Sequence, residues 1–65
     1  MKTISGVEIT VLSRNKSERK FTIKKNGTKY RTHRLSKEEF NECENYTAND
    51  WENFLKTSGN YYIAE

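Results

Sequence analysis

Lys24-Lys25-Asn26-Gly27-Thr28-Lys29 is the stretch whose reading decides the fold. Asn followed by Gly suits the two central positions of a type I′ turn, where both residues take φ > 0, and such a turn joins two antiparallel strands through a two-residue loop. The register then runs outward: Lys25 faces Thr28, Lys24 faces Lys29, Ile23 faces Tyr30, Thr22 faces Arg31, Phe21 faces Thr32 and Lys20 faces His33. Two unlike faces result. One carries Phe21, Ile23, Tyr30 and Thr32 and is expected to meet the core, while the other carries Lys20, Thr22, Lys24, Lys29, Arg31 and His33.

Upstream, Val7, Ile9 and Val11 alternate with Glu8, Thr10 and Leu12, which predicts a further strand, and Ser13 to Ser17 reads as a polar turn leading into the hairpin. Downstream the grammar changes to helix starts. In Leu35-Ser36-Lys37-Glu38-Glu39-Phe40, Ser36 is placed to cap the backbone, Glu39 to return the bond, and Leu35 to close on Phe40. The arrangement recurs in Tyr46-Thr47-Ala48-Asn49-Asp50-Trp51, with Thr47 as cap, Asp50 answering and Tyr46 set against Trp51. The first helix is expected to bury Phe40 and Cys43, the second Trp51, Phe54 and Leu55. Gly59 stands where a left-handed stop belongs, and Asn60 to Ala64 has the aromatic and β-branched content of a last strand. The expected fold is α+β: a small antiparallel three- to four-stranded sheet in the order β-β-β-α-α-β, with two short helices on one face. Residues 1–65 read as one small domain, with the sheet half at 1–35, the helical half at 36–58 and the last strand at 60–64.

Composition bounds the rest. With 65 residues, 32% apolar and 32% charged, the interior is thin, and the eight aromatics supply much of its area. Cys43 is the only cysteine, so no internal disulfide, CxxC pair or four-ligand zinc site is expected from it. Met1 to Gly6 lacks the apolar run of a secretory signal, and no stretch approaches the roughly 18 apolar residues of a membrane span. The expectation is a cytoplasmic protein with no membrane association.

Net charge is +3, but its distribution is lopsided. Met1 to Leu35 holds ten Lys and Arg against two acids, whereas Ser36 to Glu65 holds two Lys against seven acids. Such asymmetry bears on partners rather than on fold. Like charges set across from one another, as at Lys24 and Lys29, are mildly destabilising, and a bound anion relieves them. Arg19, Arg31 and Arg34 are candidates for bidentate base contacts, but with no helix-turn-helix pattern, zinc-finger spacing or RNP-type aromatic strand base-specific recognition is not expected, and Tyr30 reads as a core residue rather than a stacking platform. The acids Glu38, Glu39, Glu42, Glu44, Asp50 and Glu52 fit helix electrostatics, with Glu52 and Lys56 at i,i+4 spacing. Of Tyr61 and Tyr62, alternation sends only one inward.

Catalytic patterns are missing. His33 is expected outward on a strand and Cys43 inward on a helix, which separates the one pair that could make a nucleophile. Gly6, Gly27 and Gly59 stand alone, so there is no glycine-rich phosphate loop. No cofactor, metal or small-molecule substrate is expected.

The basic strands flanking Asn26-Gly27, with a helix to follow, resemble the sheet-type DNA-binding modules of phage integrases over Glu18 to Phe40. That resemblance implies a three-stranded sheet backed by a helix and DNA as the partner, and it carries no individual residue roles. The second capped helix and the Tyr-rich last strand depart from its plan. Heavy use of Lys, Asn, Thr and Tyr without proline also suits an AT-rich bacterial or phage genome. The expected function is therefore a non-catalytic binding module whose basic hairpin face contacts nucleic-acid phosphates through Lys20, Lys24, Lys29, Arg31 and His33. The alternative is a protein-binding modulator, such as a phage-encoded inhibitor, that sets its basic sheet or its acidic helices against a host protein. Oligomeric state is not readable from the sequence.

Overall fold

A computed structural model describes residues 1–64. The elements run β1 (Ile9–Asn15), β2 (Lys20–Lys25), β3 (Thr28–Thr32), α1 (Lys37–Cys43), α2 (Ala48–Thr57) and β4 (Tyr61–Ile63). They form a four-stranded sheet of order β1-β2-β3-β4, antiparallel throughout, with both helices on one side: a small α+β fold of the expected kind.

The hairpin register is the one read from Asn26-Gly27. Asn26 and Gly27 have φ of 48° and 85°, and Lys25↔Thr28, Lys24↔Lys29, Ile23↔Tyr30 and Thr22↔Arg31 face one another. The turn is also anchored sideways, because the Glu8 backbone N–H donates to Asn26 Oδ1 at 3.4 Å and the Asn26 N–H donates to the Glu8 carbonyl at 3.2 Å. Past Thr22↔Arg31 the β2–β3 ladder stops, short of the Phe21–Thr32 and Lys20–His33 pairs. β3 instead continues against β4, with Thr32↔Tyr61, Arg31↔Tyr62 and Tyr30↔Ile63. The Phe21 N–H takes the Thr32 hydroxyl as its acceptor at 3.0 Å, so a fully buried side chain closes the gap.

β1 departs from the sequence reading in two ways. The strand extends through Ser13 to Asn15, leaving residues 16–19 as the turn. A β-bulge falls at Leu12, since Val11 faces Ile23 while Ser13 faces Thr22. One extra residue reverses the alternation. Arg14 thereby joins the inner side opposite Phe21 and reaches the Glu44 carboxylate at the end of α1. Val11 is 38% exposed and Leu12 45%.

Both helix starts lie where the caps put them. Ser36 accepts from the Glu39 N–H at 3.1 Å, without the expected return bond from Glu39. Thr47 and Asp50 make the complete reciprocal pair, and Tyr46 closes on Trp51 with ring centroids 4.9 Å apart. The core comprises Ile9, Phe21, Ile23, Leu35, Phe40, Cys43, Ala48, Trp51, Phe54 and Leu55. Phe21 is its hub, with its ring 4.8 Å from Phe40 of α1 and 5.2 Å from Trp51 of α2. Tyr30 is half-buried against this cluster, edge-on to Tyr61. The segment before β1 folds back through Gly6 (φ 88°), and its Ile4 N–H donates to Asn49 Oδ1 of α2 at 2.9 Å.

Thr32→Val keeps the side-chain shape and removes the acceptor, so it is expected to lower stability by about 1–3 kcal/mol through the orphaned Phe21 N–H, while Thr32→Ser loses less. Urea unfolding of the three proteins checks the order.

The Thr47 backbone N–H and hydroxyl both donate to Asp50 and hold its carboxyl below the usual carboxylate range. A depressed folded value stabilises the fold above the unfolded pKa of about 4, and that contribution is lost as pH falls through the folded value. Asp50→Asn is therefore expected to flatten the decline of the urea midpoint below about pH 4, and an unchanged profile would refute this role.

Candidate nucleic-acid interface

The side of the sheet away from the helices is built by the register. Lys24 and Lys29 face one another directly, both exposed. Arg31 lies one alternation further along β3, opposite Thr22 on one side and Tyr62 on the other. Lys20 is half-buried where β2 begins, opposite Asn15. His33 follows the end of β3, and its ring is 5.0 Å from that of Tyr62, tilted by 39°. The five residues singled out from sequence thus border one surface, with Lys20 towards the β1–β2 turn and His33 towards β4.

Two details separate this surface from a plain row of exposed lysines. Thr22 is only 9% exposed although it points away from the core, and its hydroxyl accepts from Arg31 Nε at 3.3 Å. That bond ties the guanidinium to the sheet through Nε, and its two terminal nitrogens have no hydrogen-bond partner among the described residues. Beside it lies an open groove of about 200 Å³, whose walls include Asn15, Glu18, Lys20, Thr22, Arg31 and Tyr62. Asn15 Nδ2 donates to Glu18 Oε1 at 2.9 Å, and Asn15 Oδ1 accepts from the Glu18 N–H at 3.0 Å, which fixes one carboxylate at the groove's rim.

Among the described residues the ion pairs are the N-terminal ammonium with Glu8, Arg14 with Glu44, and Lys56 with Glu52. None involves Lys20, Lys24, Lys29 or Arg31. Glu39, Glu42 and Asp50 line a separate hollow of about 270 Å³ between the helices.

Arg19 leaves the group of candidate base-contacting residues. It sits in the left-handed region with φ 55°, its Nε donates to the Leu35 carbonyl at 2.8 Å, and its own carbonyl accepts from the Leu35 N–H. Its role is to tie the β1–β2 turn to the start of the helical half. Sequence reasoning left open which of the two C-terminal tyrosines faces out. Tyr61 turns in and donates its hydroxyl to the Leu55 carbonyl, so Tyr62 stands on the basic side, 39% exposed. Only its pairing with Arg31 reveals this, and pairing between strands thirty residues apart leaves no local signal.

Cys43 lies in the core, on the helix side of the sheet, away from His33. Burial, with nearby Glu39 and Glu42 adding to it against a hydrogen bond from Tyr46, pushes the thiol up to about 11. Among the described residues no three His, Cys, Asp or Glu side chains gather in a metal-holding group, and no helix is long and apolar enough to cross a membrane. Compared with known proteins, the chain matches no family model, no curated protein and no solved structure.

With its pKa near 11, the native Cys43 thiol is about one part in a thousand thiolate at pH 8, and the residue is only 3% exposed against α2 and the sheet. Native protein is expected to resist iodoacetamide at that pH and to react fully in denaturant; rapid labelling of the folded form, read by intact mass, would show that this packing does not cover it.

Proposed function

We propose that this protein binds nucleic acid through phosphate contacts made by Lys20, Lys24, Lys29 and Arg31, with His33 at the margin of the same surface. The observation that carries the reading is the sorting of charge: these four cations share the side of the sheet that the helices leave open, and none has a carboxylate within ion-pair distance among the described residues. Repulsion between Lys24 and Lys29 is relieved by an anion spanning them. A row of cations across two strands fits a repeating polyanion better than a single small anion, because each contact also releases condensed counterions. The bound Arg31 guanidinium is held in advance by Thr22, which lowers the ordering cost of its contact.

A second reading is favoured by a different observation. Val11 and Leu12 are exposed at the bulge of β1, which is an edge strand. Apolar side chains at a free edge suit a protein partner, and in that case the protein acts as a modulator or inhibitor of what it docks on.

Four phosphate contacts predict a log–log slope of affinity against salt of about −3 to −4 on B-DNA. Changing Lys24, Lys29 and Arg31 together to Glu is expected to abolish binding in fluorescence anisotropy with the circular dichroism spectrum unchanged. Binding that survives the triple change, or that ignores salt, rejects the assignment. Loss of function on Leu12→Ser with nucleic-acid affinity intact would favour the protein partner instead.

A further inference from the structure

We propose that the nucleic acid is taken as a single strand, with one unpaired base lying in the groove beside Glu18 and stacked on Tyr62. The inference rests on the phosphate-binding reading above and names the form of its ligand.

The groove differs from the rest of the basic surface in carrying an aromatic ring and a carboxylate. Tyr62 is opposite Arg31 in the β3–β4 ladder, so an aromatic face and a guanidinium adjoin on one wall. His33 extends that wall, its ring 5.0 Å from Tyr62. Aromatic rings alternating with cations are the combination that holds single strands, since every base offers a π-face while its phosphates need positive charge. In a duplex the base faces are already stacked on their neighbours, and Tyr62 has nothing to add.

Glu18 argues for a base rather than a phosphate at this spot. A carboxylate at the rim repels phosphate, yet it accepts hydrogen bonds from the ring and amino N–H groups that an unpaired base exposes. Asn15 engages Glu18 Oε1, and Oε2 has no hydrogen-bond partner among the described residues. The groove's volume of about 200 Å³ and its open side suit a flat ring slipped between the β1–β2 turn and Tyr62. The phosphates on either side of that base then pass over Arg31 and Lys20 and on towards Lys24 and Lys29. The acidic hollow between the helices offers no comparable case, because Asp50 is already engaged by Thr47.

The test is fluorescence anisotropy with labelled oligonucleotides of equal length: single-stranded DNA, single-stranded RNA, duplex DNA, and a DNA strand whose bases are replaced by abasic sites. Single strands carrying bases are expected to bind more tightly than the abasic strand and the duplex, and the tighter of DNA and RNA identifies the sugar preferred. Tyr62→Ala should weaken single-strand binding about tenfold while leaving duplex binding and the salt slope as they were, and Tyr62→Phe should restore it. Equal affinity for the abasic and base-bearing strands overturns the proposal without recourse to any variant. So does an equal loss on single strand and duplex with Tyr62→Ala. Absence of binding to every probe at low salt overturns the phosphate reading itself, whereas duplex binding that survives with no single-strand preference overturns only this inference.

Discussion

The structure depends on the reversal at Asn26-Gly27, because the register it sets decides which side every hairpin residue occupies. A shift of one residue would send Phe21 and Ile23 to water and Lys24 and Arg31 to the core. Phe21 is the contact on which both helices converge, so the turn's register is also what allows α1 and α2 to be placed at all. The bonds between Asn26 and Glu8 extend the same constraint to the start of β1. One turn thus fixes three strands, and through Phe21 it fixes the layer above them.

A core of ten buried apolar residues leaves little reserve, and polar side chains finish what the ladders do not. Where β3 leaves β2, the Thr32 hydroxyl stands in for a strand carbonyl. Where β2 begins, Arg19 clamps Leu35 through backbone and side chain together. Where β4 meets α2, the Tyr61 hydroxyl takes the Leu55 carbonyl near the helix end. Each of these bonds joins two segments at a point where regular pairing ends. Among the described residues no buried side-chain nitrogen or oxygen lacks a partner, which is the condition for a small interior to tolerate them.

What could be read in the sequence was what local chemistry dictates. The type I′ turn, the caps at Ser36 and Thr47, the Tyr46–Trp51 closure and the stop at Gly59 each involve residues within five positions of one another, and all lie where their side-chain chemistry puts them. What could not be read depends on pairing at a distance. The Leu12 bulge arises in the pairing of β1 with β2, and Val11-Leu12-Ser13 carries no glycine or proline to mark it. Arg19 takes a positive φ because Leu35 holds it from two sides, a contact across sixteen residues. The basic residues of the candidate surface were visible because the hairpin is local, but Tyr62 joined them only through β4.

The segregation of charge has a consequence that net charge conceals. With +3 overall, the molecule is a weak cation at long range, since the carboxylates of the helical half offset most of the sheet's positive charge. The two sets lie on opposite sides of a molecule whose smallest extent is 19 Å, beyond the Debye length of about 8 Å at physiological ionic strength. At that salt a phosphate on the outer surface therefore interacts mainly with Lys24, Lys29, Arg31 and Lys20 and only weakly with the acids behind them. Lowering the salt strengthens the near contacts and lengthens the reach of the far carboxylates together. The steepness with which affinity grows is still set by the four near contacts, and the far carboxylates temper long-range capture without weakening the contacts once made.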